Sequence, residues 1–315
     1  EISACLVGSE MCIRDSNKVA QEVGTTFQIP VFETLESMID AYDESVIFDI
    51  ALPASAFPDV LIKLPFASSV LLQKPMGNSL EEAQVILAIC RKKQLKAAVN
   101  FQLRYAPFML AAKEIIRKGW IGEVCDVEFN INVFTPWHLW SFLYGLPRME
   151  VLYHSCHYID FIRNLLGNPL SVYGKTTKHP LSLELASVRS NIIMDYGDLV
   201  RASIYTNHNH HFGTKHQNSF VKIEGTQGAM KIQMGLLMNY PHGFADKFEF
   251  ISLIENTKAE WQEVEIPGTW FPHAFIGSMA QLMCFVEGSS SILDNSVEDV
   301  LFTMKAIEDF YTKRY

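Results

Sequence analysis

Leu71-Leu72-Gln73-Lys74-Pro75-Met76-Gly77 is the stretch on which the reading of the fold turns. Ser69-Val70-Leu71-Leu72 is a short apolar run of the kind that fills a buried strand. Ser79-Leu80-Glu81-Glu82-Ala83-Gln84 then opens a helix, with Ser79 as N-cap and Glu82 three residues on completing a capping box. Lys74 therefore sits at the C-terminal end of a strand and just before a helix, the edge of an open α/β sheet where ligands bind. A lysine in a surface turn is the ordinary alternative, and the strand before it with the helix after it argues against that.

Working outward, strands and helices alternate. Val31-Phe32 is a short strand, Thr34 to Tyr42 an amphipathic helix, and Val46 to Leu52 a strand ending at Pro53. Helices over 57–64 and 80–93 flank the strand at 70–73, and Ala97 to Phe101 is a further buried strand. This is βαβ spacing, so the expected sheet is parallel with helices on both faces. Upstream, Val19 to Val23 ends a helix at Gly24. The texture changes after Gly119. Val127, Phe129, Ile131 and Val133 alternate onto one face, a helix is expected from about Glu150 to Leu166, and turns such as Glu224-Gly225-Thr226-Gln227-Gly228 separate consecutive strands of an antiparallel sheet. Helices at 274–287 and 297–311 close the chain. The fold class is thus α/β: an incomplete parallel sheet over 17–119, then an α+β unit over 120–315 with a large, mostly antiparallel open sheet.

A chain of 315 residues, 49% hydrophobic and 19% charged, can bury a large core. A net charge of −9 without a long basic run argues against nucleic acid or an anionic membrane as partner, and no apolar stretch has the length of a membrane span. Six cysteines without CxxC pairing fit reduced thiols of a cytoplasmic protein. The first sixteen residues, Cys5 to Ser16 above all, resemble a translated library adapter and are expected to be non-native. The sequence contains no G-x-G-x-x-G turn, nor the acidic residue that should follow it about 20 residues on in a dinucleotide-binding unit; the expectation is that a first strand, helix and second strand have been lost.

Five segments, taken in order, resemble the Gfo/Idh/MocA family of glucose–fructose oxidoreductase, inositol dehydrogenase and their relatives. Gln73-Lys74-Pro75-x-Gly77 is similar to its E-K-P motif, Asn100 to Pro107 to its next strand end, and Lys118 to Val124 to its domain junction. His154-Ser155-Cys156-His157-Tyr158-Ile159-Asp160 resembles the helix with its second catalytic residue, and Glu224 to Ala229 a turn of its open sheet. The resemblance implies a Rossmann domain at 17–119, here truncated, and a substrate-binding and oligomerisation domain at 120–315. It implies NAD- or NADP-dependent hydride transfer on a sugar, polyol or related carbonyl compound, and a homodimer or homotetramer built through the sheet of residues 170–265. Lys74 and His157 are the implied catalytic pair. Leu52, Pro53, Ala54, Gln73, Lys74, Pro75, Gln102 and Arg104 are the implied cofactor contacts. Trp137, His138, Tyr153, His154 and His157 are the implied substrate contacts. The sequence departs from the family at Gln73, where a glutamate is usual, at Tyr153, where an aspartate is usual, and at Phe57, where a histidine is common.

The chemistry fits. Removing a hydride from an alcohol carbon requires loss of the hydroxyl proton, which a desolvated lysine or a histidine can accept. A satisfied core histidine is the plain alternative for His157. No metal site is expected, because H-x-x-H at His154 and His157 lacks a third ligand at a suitable spacing; the cluster Asn207-His208-Asn209-His210-His211 with His216 reads as a polar face, with His208 and His210 on one side. Two other functions share the fold: a non-catalytic sensor of nucleotide or sugar, and an NAD-assisted glycoside hydrolase.

Overall fold

The protein is described by a computed structural model covering residues 11–12, 17–42, 46–254 and 258–313. Strand β1 (Met11–Cys12) pairs in parallel with β2 (Val31–Phe32) across helix α1 (Asn17–Phe27). The rest of the adapter-like segment lies outside the described residues. α2 (Leu35–Ala41), β3 (Ile47–Ile50), α3 (Phe57–Lys63), β4 (Ser69–Gln73), α4 (Leu80–Lys92), β5 (Lys96–Asn100) and α5 (Pro107–Arg117) follow. β3, β4 and β5 form a parallel sheet in that order, as the βαβ spacing predicts. Ser69 to Leu72 is buried on both faces, which explains the unbroken apolar run.

Two local expectations are corrected. Gly24 does not stop α1. A Cβ there would come within 2.4 Å of Val31 Cγ2, so glycine serves close packing on β2. The helix ends instead at Gln28, whose φ of 54° lets the Ile29 amide bond back to the Gly24 carbonyl at 3.0 Å. At α4, Ser79 Oγ accepts from the Glu82 amide at 3.2 Å, but the Glu82 carboxylate accepts from the Asn78 amide at 2.8 Å, so the box closes one residue further out. Acidic Glu81 and Glu82 at the start of α4, and Arg91 and Lys92 at its end, match the helix dipole.

Beyond α5 the second sheet begins with β6 (Val124–Asn132). A π-helical turn at Val151–Ser155 runs into α6 (Cys156–Leu166), where one uninterrupted helix was expected. β7 (Ser171–Thr177), β8 (Arg189–Asp195), β9 (Arg201–Asn207), β10 (Asn218–Gly225), β11 (Gly228–Gln233), β12 (Lys247–Ser252) and β13 (Gln262–Val264) complete eight strands in the order β13-β12-β11-β10-β6-β9-β8-β7. Every neighbouring pair is antiparallel except β6 and β9. Val127, Phe129 and Ile131 all point into the core, as their alternation predicts.

The last helices, α7 (His273–Val286) and α8 (Val297–Thr312), return to the first sheet. Leu282 of α7 packs on Leu71 and Ala98. Between the helices, Asn295 accepts from the Val99 amide at 2.9 Å and its side chain donates to the Val99 carbonyl at 3.1 Å, covering the edge of β5.

Candidate active site

The C-terminal ends of β3, β4 and β5 are laced by side chains. Gln73 Nε2 donates to Asp49 Oδ1 at 2.8 Å, and Gln73 Oε1 accepts from Asn100 Nδ2 at 3.0 Å. An amide is the group that can serve both neighbours; a glutamate here would face the Asp49 carboxylate. The next residue, Lys74, precedes a cis peptide bond to Pro75. Gly77 turns the chain with φ 91°, and a Cβ on it would lie 2.9 Å from that of Glu82.

Lys74 reaches across to the second unit. Its Nζ donates to the Tyr153 carbonyl at 2.5 Å, a carbonyl presented by the π turn. Helices of this wide pitch recur at functional sites. Tyr153 is fixed in turn, its hydroxyl donating to Asn78 Oδ1 at 2.6 Å. Burial pushes the Lys74 ammonium below the ordinary lysine range, offset in part by the nearby Cys156 thiol.

His157, on the first turn of α6, is 7% exposed. It lies edge-on to Phe101, with ring centroids 5.9 Å apart, and to Trp270 at 6.0 Å. Its Nδ1 has no hydrogen-bond partner. Burial, and then the Lys74 charge, hold it well below the usual histidine range, so the imidazole is neutral. His154 is neutral for the same first reason, helped by His208, Lys74 and His157. Its ring centroid stands 4.1 Å from that of His208.

Other expected site residues separate. Leu52, Pro53 and Ala54 follow β3 at the same sheet edge as Lys74. Gln102 is buried just after β5. Arg104 turns away from this edge. It is wholly buried, with Nε and Nη2 on the two Asp160 oxygens at 2.5 Å each, Nη2 also on Asp299 at 2.7 Å, and Nη1 on the Asp294 carbonyl at 2.5 Å. Trp137 is buried against His208, centroids 5.1 Å apart, whereas His138 is exposed. The histidine cluster does not share one face. His208 still follows Ala202, Ile204 and Thr206 into the core, but Asn209, bridged to Phe134, is buried as well and breaks the alternation, so His210 lies by Asn132 and His211 by Phe134 and His179.

Glu150 and Trp270 were not among the expected site residues. Glu150 is fully buried beside His208, its Oε1 3.4 Å from His208 Nε2. Burial opposes its ionisation, but His208 and the Ser155 and Ser190 hydroxyls hold its carboxyl below the ordinary range. Glu150 and His154 stand four apart on one helical path, a spacing visible in the sequence; nothing in the sequence links either to His208.

Two family models match the chain. One is described as an oxidoreductase family with an NAD-binding Rossmann fold, over residues 10–101, and the other as the GFO/IDH/MocA C-terminal domain, over residues 109–231. Bacillus subtilis YteT, named an oxidoreductase, is 30% identical over 121 residues, 36% of this chain and 28% of its own. The chain thus matches less than a third of that relative's length. Glucose-6-phosphate 3-dehydrogenase of Bacillus subtilis is 22% identical over 315 residues, covering 86% of this chain and 87% of that protein. A crystal structure of an oxidoreductase from Agrobacterium radiobacter in complex with NAD+, L-tartaric acid and magnesium has the same fold, with a TM-score of 0.78 at 17% identity over 96% of this chain and 87% of that one.

Proposed function

The chain belongs to the Gfo/Idh/MocA oxidoreductases, and from that premise we propose that it oxidises or reduces a CH–OH group of a sugar or polyol with NAD or NADP, Lys74 and His157 handling the proton. One observation carries the reading: Lys74, at the C-terminal edge of a parallel sheet, reaches the carbonyl of Tyr153 in the π turn that leads into α6, the helix that holds the buried His157 with its Nδ1 unpartnered. Neutral bases accept protons, which is what the oxidation of an alcohol asks of them.

The residues fit a nicotinamide at this edge. Gln73 and Asn100 lock the ends of β4 and β5, and the unpartnered His157 Nδ1 offers a proton acceptor beside Lys74. Leu52, Pro53, Ala54, Gln73, Lys74 and Pro75 would hold the cofactor, which when bound supplies the hydride acceptor. Lys74 orients the substrate hydroxyl and takes its proton; His157 receives or returns that proton. Tyr153 acts through its carbonyl and its bond to Asn78, which hold Lys74 in place. Arg104 holds the wall behind α6 through Asp160 rather than the cofactor.

The outer face of the eight-stranded sheet is the proposed subunit contact, giving a dimer or tetramer; light scattering showing only monomer at micromolar concentration would remove it. The activity is tested by following reduced-nicotinamide absorbance with NAD and NADP against a panel of aldoses, sugar phosphates and polyols. Turnover with members of that panel is the expected result, and its absence with every member under both cofactors would count against the reading.

A further inference from the structure

We propose that Glu150, His154 and His208 form a binding site for one divalent ion of the zinc class. Three segments supply the ligands: the residue before the π turn, the π turn itself, and the loop after β9. One ligand atom from each lies within 4.8 Å of the others. Tetrahedral zinc, with bonds of about 2.0–2.2 Å, sets its ligands roughly 3.3–3.5 Å apart. His208 Nε2 and Glu150 Oε1 are already 3.4 Å apart. A small movement of His154 completes three sides of the polyhedron.

The buried polar atoms point the same way. Glu150 and His208 are wholly inaccessible, yet Glu150 Oε2, His208 Nε2 and His154 Nδ1 have no hydrogen-bond partner. Orphaned groups at this depth are costly. A proton shared between His208 and Glu150 would account for one of the three and leave the other two. The outer contacts are those that orient metal ligands. His208 Nδ1 lies 2.9 Å from Thr135 Oγ1, which directs Nε2 inward. Glu150 Oε1 accepts from Ser155 at 2.6 Å and Thr206 at 2.9 Å, which fixes the carboxylate beside His208 Nε2 and leaves the partnerless Oε2 as a further donor to the same ion.

Two imidazoles and a carboxylate select zinc or a similar transition ion over magnesium or calcium. Three protein ligands leave one coordination position open. His154, the part-buried member, packs on His208 and feels the charges of Lys74 and His157. The open position therefore takes water or a substrate oxygen, and the second of these rests on the oxidoreductase reading, whereas binding of the ion does not.

The test uses the whole chain, stripped with a chelator and titrated with zinc in competition with a chromophoric chelator. Bound metal is counted by mass spectrometry, and cobalt replaces zinc for a visible spectrum. The expected result is one ion per chain, a tetrahedral cobalt spectrum, and an affinity at least 100-fold weaker in Glu150→Gln and His208→Ala. Thr135→Val, which removes only an outer contact and spares the fold, should weaken binding by roughly 10–100-fold. Less than a tenth of an ion per wild-type chain, or unchanged affinity in folded Thr135→Val together with an octahedral cobalt spectrum, would overturn the site. Hydride transfer by the folded, stripped protein at the zinc-loaded rate would overturn the substrate-oxygen role alone. Zinc binding without turnover on any substrate would instead count against the oxidoreductase reading.

Discussion

Replacing Arg104 should cost stability, not cofactor affinity. In Arg104→Leu the guanidinium leaves three acceptors. Asp299 keeps Arg163 at 2.9 Å, and the Asp294 carbonyl belongs to a loop. Asp160 is the stranded group: its side chain is 1% exposed, and only the Thr303 hydroxyl, at 2.7 Å, remains. Breaking a buried ion pair by removing one partner costs about 3–5 kcal/mol. For a chain of this size that lowers Tm by roughly 6–20 °C. Arg104→Leu with Asp160→Leu should recover much of the loss, because no buried charge is then left alone. Acid should act in the same direction. Burial tends to raise the Asp299 carboxyl, but Arg104 and Arg163 hold it below its ordinary range. Its contribution is thus full above the unfolded-state carboxylate range and is lost as pH falls through the lowered folded-state value. Thermal melts by circular dichroism, with cofactor titration of the folded protein, check both halves. An Arg104→Leu variant with unchanged Tm and tenfold weaker cofactor binding would refute the reasoning and restore Arg104 to the cofactor site.

Gln73→Glu should destabilise by about 1 kcal/mol, the net worth of a lost hydrogen bond, because the new carboxylate faces Asp49. Asp49→Asn in the same chain should restore it, and denaturant unfolding that shows no rescue would sink the explanation. For alcohol oxidation, kcat/KM should rise with pH along a limb below the ordinary lysine range of about 10.4, since burial favours the neutral amine of Lys74. A pH profile whose limb is unchanged in Lys74→Ala would assign that limb to another group.

The parallel sheet was legible because its strands are buried on both faces and read as unbroken apolar runs, Ser69 to Leu72 most plainly. Lys74 was legible because strand, turn and helix N-cap fixed its place. What escaped depends on contacts across the chain. Arg104 lies only four residues beyond β5, and nothing local shows that Asp160 and Asp299 close around it. The π turn at 151–155 shifts the register of a helix whose apolar pattern is otherwise ordinary. Alternation places His208 inward correctly, but two successive buried residues, His208 and Asn209, break it, so carried further it misplaces His210.

The central claim is that Lys74 and His157 move the proton, and the most direct measurement is steady-state hydride transfer by Lys74→Ala, with His157→Ala and the double variant alongside. Losing a general acid or base costs roughly two to four orders of magnitude. Each single variant should fall by that much while remaining folded by circular dichroism, and the double variant should fall by less than the product of the two. A folded Lys74→Ala protein that turns over at the wild-type rate would contradict the account.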